Sequence, residues 1–405
     1  MKTGFYSAKI LLPKAVDMKK WSVIACDQFT SEKKYWEELK SFVGDAKSTL
    51  KLILPEIYLS GDTEESIKKI NGNITEYLES GVFSETEKGY ILTVRKTPYS
   101  PRRIGIVACV DLEEYDYKKG EKPLVRATEA TIEERIPPRL KIRENAKIEF
   151  PHIMILFDDE KREIAEELYK NRDKYRKVYD FELNMNGGAI QGYFIPESEN
   201  LSAKFSALLE RERLIKKYGT DDKFAFAVGD GNHSLATAKA HWNRIKENLS
   251  EEERKIHPAR YALAEFVNIY GEGIRFEPIF RFVSGVDRDK FINGLNVRGH
   301  YRVDTGDGVT EVRGNSPLPT VIAEIDGYIK RYIAENGGTV DYVHGEKNLN
   351  DLIKADKNSL GILPDALDKS DLFRYVSEKG AFPKKTFSMG EGVEKRYYLE
   401  GKKII

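Results

Sequence analysis

Cysteine is nearly absent from this chain: 405 residues hold two, Cys26 and Cys109, each inside an apolar run (SVIAC and GIVAC). Neither has a partner at metal-ligand spacing, so a zinc site is argued against and two buried thiols are the simpler expectation. Charge of one sign is missing as well. Lys plus Arg and Asp plus Glu both number 66, a formal net charge of zero, so no global field draws the chain to nucleic acid or to an anionic membrane surface. Long hydrophobic runs are lacking too. The first residues, MKTGFYSAKILLPKAV, have only three consecutive apolar residues before a proline, which is neither a leader nor a span. No G-x-x-x-x-G-K-[ST] occurs, which excludes a P-loop enzyme. The expectation is a cytoplasmic protein with a small-molecule substrate, no membrane partner and no nucleic-acid partner, its oligomeric state open.

What is present is a densely charged chain, 33% Asp, Glu, Lys and Arg, long enough for two or three domains. Composition shifts suggest weak borders near residues 125 and 285, giving regions 1–125, 126–285 and 286–405. Helical spacing predicts a helix from Thr30 or Ser31 through Val43 and another from Glu64, interrupted at Asn71-Gly72-Asn73 before Glu79. Alternation predicts a strand from Arg103 to Val110, then a polar loop or hairpin over 113–123. His152 to Phe157 reads as a buried strand whose following helix Asp158 or Asp159 caps, and residues 179–195 as a hairpin turning at Asn186-Gly187-Gly188. Further on come a helix over 204–217, a strand over 224–228, a helix over 235–248, a helix or strand over 262–269, and a long helix over 319–335 with a strand over 340–344. In the tail, residues 386–389 and 395–399 are expected to pair. The class is α+β, mixed sheets with interspersed helices.

One turn carries most of the chemistry. In FAFAVGDGNHSLATAK a strand runs into Gly229-Asp230-Gly231-Asn232-His233-Ser234 and leaves as a helix. Free backbone N–H groups and the dipole at such a helix start suit an anion such as phosphate. Gly229 and Gly231 permit close approach, Asn232, Ser234 and Thr237 can donate, and His233 can donate or shuttle a proton. Asp230 is the acid, placed to hold a metal or take a proton. Helix capping and an Asx-turn are the structural alternative. The third glycine of a dinucleotide fingerprint is missing, which disfavours a Rossmann dehydrogenase.

A second group, in RATEATIEERIPPRLKIR, offers Arg126 and Thr128 as phosphate ligands and Glu129 as a reserve base. A third, WSVIACDQFTSEKKYW, ends an apolar strand at Asp27, where a cap of its own turn is the slightly favoured reading. A fourth, KKTFSMGEGVEKRYYLE, presents Lys384, Lys385 and Ser388.

Together these blocks resemble the signature segments of the DUF1015 family of bacterial and archaeal proteins, over essentially the whole chain. The Asp230-Gly231-Asn232-His233 turn is similar to the nucleotide-phosphate loop of the ParB and sulfiredoxin superfamily, to which free-serine kinases belong; Ser234 stands where those relatives carry arginine, and Phe280 where many carry histidine. The resemblance implies a ParB/sulfiredoxin-like core with N- and C-terminal elaborations. It also implies nucleotide binding, with ATP or ADP and Mg²⁺ as cofactors, and phosphotransfer to a small hydroxylated metabolite, serine first among them. A nucleotide or amino-acid sensor, or a phosphatase of a phosphorylated metabolite, is the alternative. In the kinase scheme Asp230 holds the metal or takes the proton, while His233 and Arg126 steady the transferred group.

Overall fold

The computed structural model describes residues 2–59, 63–118 and 120–405. They form two compact units, one of residues 1–274 with 391–405 and one of residues 275–390. Residue 125, by contrast, starts the Val125–Ala127 strand of the first unit's large sheet.

In the first unit, eleven of the described strands form one mixed sheet. Its main path runs from Arg176–Glu182 and Ala189–Pro196 through Phe83–Lys96, Arg103–Asp111, Tyr261–Asn268 and Met154–Phe157 to Phe226–Asp230, Val125–Ala127 and Tyr115–Asp116. The last three strands are mutually parallel, and Met154–Phe157 is parallel to Tyr261–Asn268. Alternation over residues 103–110 does mark a strand, with both faces covered. Ile106, Ala108 and Val110 enter one core with Phe226 and Phe266, while Val107 and Cys109 enter the other with Leu263 and Trp21. Burial pushes the Cys109 thiol up to about 12, so it is inert packing.

Several expectations change for physical reasons. The Glu64–Glu79 helix is unbroken, because Ile70, Ile74 and Tyr77 bury one stripe and Asn73 Nδ2 donates to Lys51 O at 2.8 Å, outweighing local turn propensity. The predicted 204–217 helix is two, Leu201–Leu208 and Arg211–Tyr218. At 100° per residue Leu214 would face away from Phe205 and Leu209 in one straight helix, and the break lets all three bury. Asp159 does not start a helix at once; its carboxylate accepts from Ile164 N–H, ahead of the Ala165–Lys170 helix. Within the predicted 113–123 loop, Tyr115–Asp116 joins the sheet and Lys119 lies outside the described residues. Residues 262–269 resolve as the Tyr261–Asn268 strand.

The tail departs most. Phe387–Met389 pairs with Phe276–Pro278 inside the second unit, whereas Tyr397–Tyr398 pairs with Val23–Ile24 in the first, so the two halves of the predicted hairpin never meet. The second unit is otherwise a sheet in the order Val309–Val312, Tyr301–Asp304, Ser359–Pro364, Phe276–Ser284, Thr339–His344, all its pairs antiparallel. The Leu318–Asn336 helix lays Val321, Ile325 and Ile329 on its core, and the fully buried Arg281 forks onto Asp326 at 2.8 Å through Nε and Nη2.

Buried charge ties residues 391–405 into the first unit. Arg396 donates to Glu265 at 2.7 Å, to Glu400 at 2.6 Å and to Pro151 O at 3.2 Å, and Tyr179 and Thr93 donate to the same two carboxylates. Burial alone would raise the Glu265 carboxyl, but Arg396 and Arg103 hold it near 2. Beside them Arg95, 1% exposed, gives all its donors to carbonyls of Gly187, Val393, Glu394 and Lys395. Burial, with Arg103 close by, lowers Arg95 to about 9. Arg396→Met should leave buried Glu400 without its cation and Glu265 with Arg103 alone, 4.0 Å away, costing about 3–5 kcal/mol. Urea unfolding followed by tryptophan fluorescence reads this directly, since Trp21, Trp36 and Trp242 all lie in the first unit.

Candidate functional site

The Phe226–Asp230 strand ends in a bulge, where its register against Met154–Phe157 shifts between Val228 and Asp230 with Gly229 between them. Gly231 follows at φ +77° as the N-cap of the Asn232–Lys246 helix. That conformation suits glycine, and a Cβ there would lie 3.0 Å from Ile153 Cα. The helix therefore starts at Asn232, three residues earlier than periodicity predicts, and no side chain caps it. The first amides of a helix have no partner within it. Asn232, His233 and Ser234 thus form its first turn. Asn232 Oδ1 is buried without a hydrogen-bond partner, a polar atom that a ligand donor would satisfy.

Four distant segments converge here. Lys395 Nζ lies 3.4 Å from Asp230 Oδ2, while Asp230 Oδ1 accepts from Gly231 N–H at 3.0 Å. His152, 5% exposed and two residues ahead of the Met154–Phe157 strand, meets Ser234 Oγ at 3.1 Å and Asp27 Oδ2 at 3.4 Å through Nε2, and Tyr398 Oη at 2.7 Å through Nδ1. A serine-protease relay needs the acid on one ring nitrogen and the serine on the other. Here both crowd Nε2, so Ser234 is not an activated nucleophile. Burial would raise the Asp27 carboxyl, but His152 outweighs it, with Gln28 and Lys395 helping, and Asp27 falls below the usual carboxylate range. Burial would likewise lower His152, yet Asp27 and, more weakly, Asp230 raise it. Burial pushes the Cys26 thiol up to about 12, which removes it as a nucleophile.

The second predicted group is adjacent but differently occupied. Val125–Ala127 lies parallel to Phe226–Val228, so residues 128–132 leave the sheet at the same end as the turn. Strand C-termini of this kind are the common site of α/β sheets. Arg126, however, forks onto Asp222 at 2.7 Å through both Nη atoms and donates Nε to Pro123 O; its guanidinium is a structural clamp. Thr128 Oγ1 donates to Val228 O, and Thr237 Oγ1 to His233 O, both at 2.7 Å. Each spends its proton on backbone. His233 Nε2 accepts from Ile132 N–H at 3.2 Å, which ties the ring to the backbone of the 128–132 loop. Glu129 sits half-buried on the same loop.

Asp27 thus faces His152 instead of capping its own turn, and the structure adds His152, Lys395 and Tyr398 to the residues beside the Asp230 turn. Lys384, Lys385 and Ser388 belong to the other unit. Position supplied the overlooked signal for His152: a lone histidine between Pro151 and an apolar strand. Lys395 and Tyr398 had none, because the buried charges that direct them are remote in sequence.

Sheet and turn together define a mixed α/β protein with an uncapped helix start at its parallel strand ends. The chain belongs to the DUF1015 family, described as a protein of unknown function, whose profile matches residues 10–378. No curated protein matches it. Among solved structures it is similar to a free serine kinase in complex with AMP, at 8% identity and a TM-score of 0.39, covering 74% of this chain and 92% of that one. It is also similar to a conserved hypothetical protein from Pyrococcus furiosus, at 9% identity and 0.33 over 73% and 90%. C-terminally truncated SbnI from Staphylococcus aureus shows 8% identity and 0.36 over 70% and 82%.

The raised His152 and lowered Asp27 set opposite pH limits. The histidine contributes stability below its unfolded value of about 6.5 and loses it as pH rises through the folded one; the aspartate contributes above about 3.9 and loses it as pH falls. The pair is thus strongest between about pH 4 and 6.5. In Asp27→Asn the burial that lowers His152 should dominate, and NMR titration of its ring should move from above the ordinary histidine value to below it.

Proposed function

We propose that the 229–234 turn holds the phosphates of ATP or ADP and that the protein transfers a phosphoryl group to the hydroxyl of a small metabolite. The observation that carries this reading is the uncapped start of the Asn232–Lys246 helix facing one cation and one carboxylate, Lys395 and Asp230, only 3.4 Å apart. Backbone N–H groups, the helix dipole and an ammonium are what a transferring phosphoryl group needs, since such reactions depend on positioning and charge neutralisation.

The residues fit the nucleotide phosphates through these donors, and the unpaired Asn232 Oδ1 would accept from a ribose hydroxyl or a base amino group rather than from phosphate. For Mg²⁺ the fit is narrower. Among the described residues no group of three His, Cys, Asp or Glu could hold a metal, so Asp230 would be its protein ligand and phosphate oxygens the rest, a usual arrangement for this ion. Mg²⁺ would supply neutralisation of the developing charge.

In the transfer the acceptor oxygen bonds the terminal phosphorus and the bond from phosphorus to the bridging oxygen breaks. The electron pair leaves with the nucleotide, and the hydroxyl proton passes to Asp230 where that carboxylate does not hold the metal, or to Glu129, the reserve base, where it does. Lys395 takes the role first expected of Arg126, while Asp27 and His152 form a fixed ion pair that orients Ser234. His233 braces the 128–132 loop against the turn.

Serine, the acceptor that the family resemblance implies, is assayed beside uncharged alcohols, with phosphorus NMR as the readout. Asp230→Asn should keep the fold and lose turnover by about a hundredfold or more, in the range for a positioned acid–base group. Lys395→Met should raise the nucleotide KM. Full activity in Asp230→Asn contradicts the assignment.

A further inference from the structure

A cavity of about 160 Å³ opens behind the turn. Its polar end is formed by Ser234, His152 and Tyr398, and its body is apolar, with Leu52, Ile70, Ile74, Ile142 and Phe150 on the walls. An apolar cavity of about 150 Å³ is enough to hold a benzene ring. The charged groups of the lining are paired, Arg139 with Glu56 and Arg143 with Glu149 at 2.5 Å, which leaves the Arg143 Nε–H as a buried donor without an acceptor. At the polar end His152 is matched to Asp27. A zwitterionic amino acid would bring an ammonium and a carboxylate into a space whose charges are already paired, where the Arg143 Nε–H asks for a neutral acceptor oxygen, and unpaired buried charge is costly. An uncharged body meets no such penalty.

Resting on the phosphotransfer reading, we propose that this cavity is the acceptor pocket and that it takes an uncharged alcohol with an apolar body about the bulk of one six-membered ring. Its hydroxyl lies against Ser234 and His152, at the end bordered by Asp27 and the helix start. There the hydroxyl oxygen forms the bond to phosphorus that the bridging oxygen of the nucleotide gives up, and its proton goes to the same base, Asp230 or Glu129. Free serine, small and doubly charged, is then a poor occupant despite its hydroxyl.

Calorimetric titration of the full chain with p-cresol, toluene and L-serine tests the pocket without requiring turnover. Saturable p-cresol binding is expected, about tenfold weaker for toluene and absent for L-serine. Ile74→Trp and Ile142→Trp each fill the cavity from a different helix, so one can fail to fold without removing the test. Either should weaken p-cresol at least tenfold while leaving Mg-ADP binding unchanged. Binding of L-serine in place of p-cresol, p-cresol affinity untouched by both variants, or competitive displacement of p-cresol by adenosine would each overturn the assignment, the last by showing a nucleobase pocket. A parallel Mg-ADP titration separates the two claims. Nucleotide binding without p-cresol binding sinks only the pocket, whereas cavity-dependent p-cresol binding without nucleotide sinks the phosphotransfer reading.

Discussion

The buried ion network around Arg396 is the constraint on which the site depends. A guanidinium and two carboxylates, each 3% exposed or less in their side chains, lie between the large sheet and the last residues of the chain. Such charges are tolerated in an interior only when paired and fully hydrogen-bonded. Glu265 comes from a central strand, and Arg396 and Glu400 come from the tail. Their mutual need fixes the tail in one place, and Arg95 and Arg103 tighten it by donating to the carbonyls of residues 393–395. Burial of charge, expensive on its own, is here a positioning device.

Its effect on chemistry is local. With residues 393–396 held, Lys395 reaches Asp230, and two residues beyond Arg396 the Tyr398 hydroxyl meets His152. The turn by itself is a helix start with a glycine cap. Joined to the tail it gains a cation beside its acid, and joined to Asp27 it gains an oriented histidine. The electrostatic balance is close: four ionisable groups from four segments, two of each sign when His152 carries its proton. An entering phosphate would tip that balance negative and draw on the helix dipole and the first-turn amides.

Much of the fold is legible from local pattern. The Arg103–Asp111 strand, the hairpin of Arg176–Glu182 with Ala189–Pro196, and the Leu318–Asn336 helix follow from periodicity and turn residues. Errors arise where distant packing overrides local preference, as in the unbroken Glu64–Glu79 helix, or where a break serves the core, as after Leu208. The site divides the same way. The glycine and aspartate turn is visible because strand, turn and helix start are consecutive. Arg126 looked like a phosphate clamp because arginine beside hydroxyls suits anions, but Asp222, 96 residues away, occupies its fork. Lys395 was invisible because what aims it is a set of pairs spanning up to about 300 residues.

Amide hydrogen exchange over residues 229–236, measured with and without Mg-ADP, tests most directly whether the turn is where the nucleotide phosphates rest. Slowed exchange confined to the start of the Asn232–Lys246 helix and lost in Lys395→Met is the expected result. Unchanged exchange there at nucleotide concentrations that saturate binding elsewhere would contradict it.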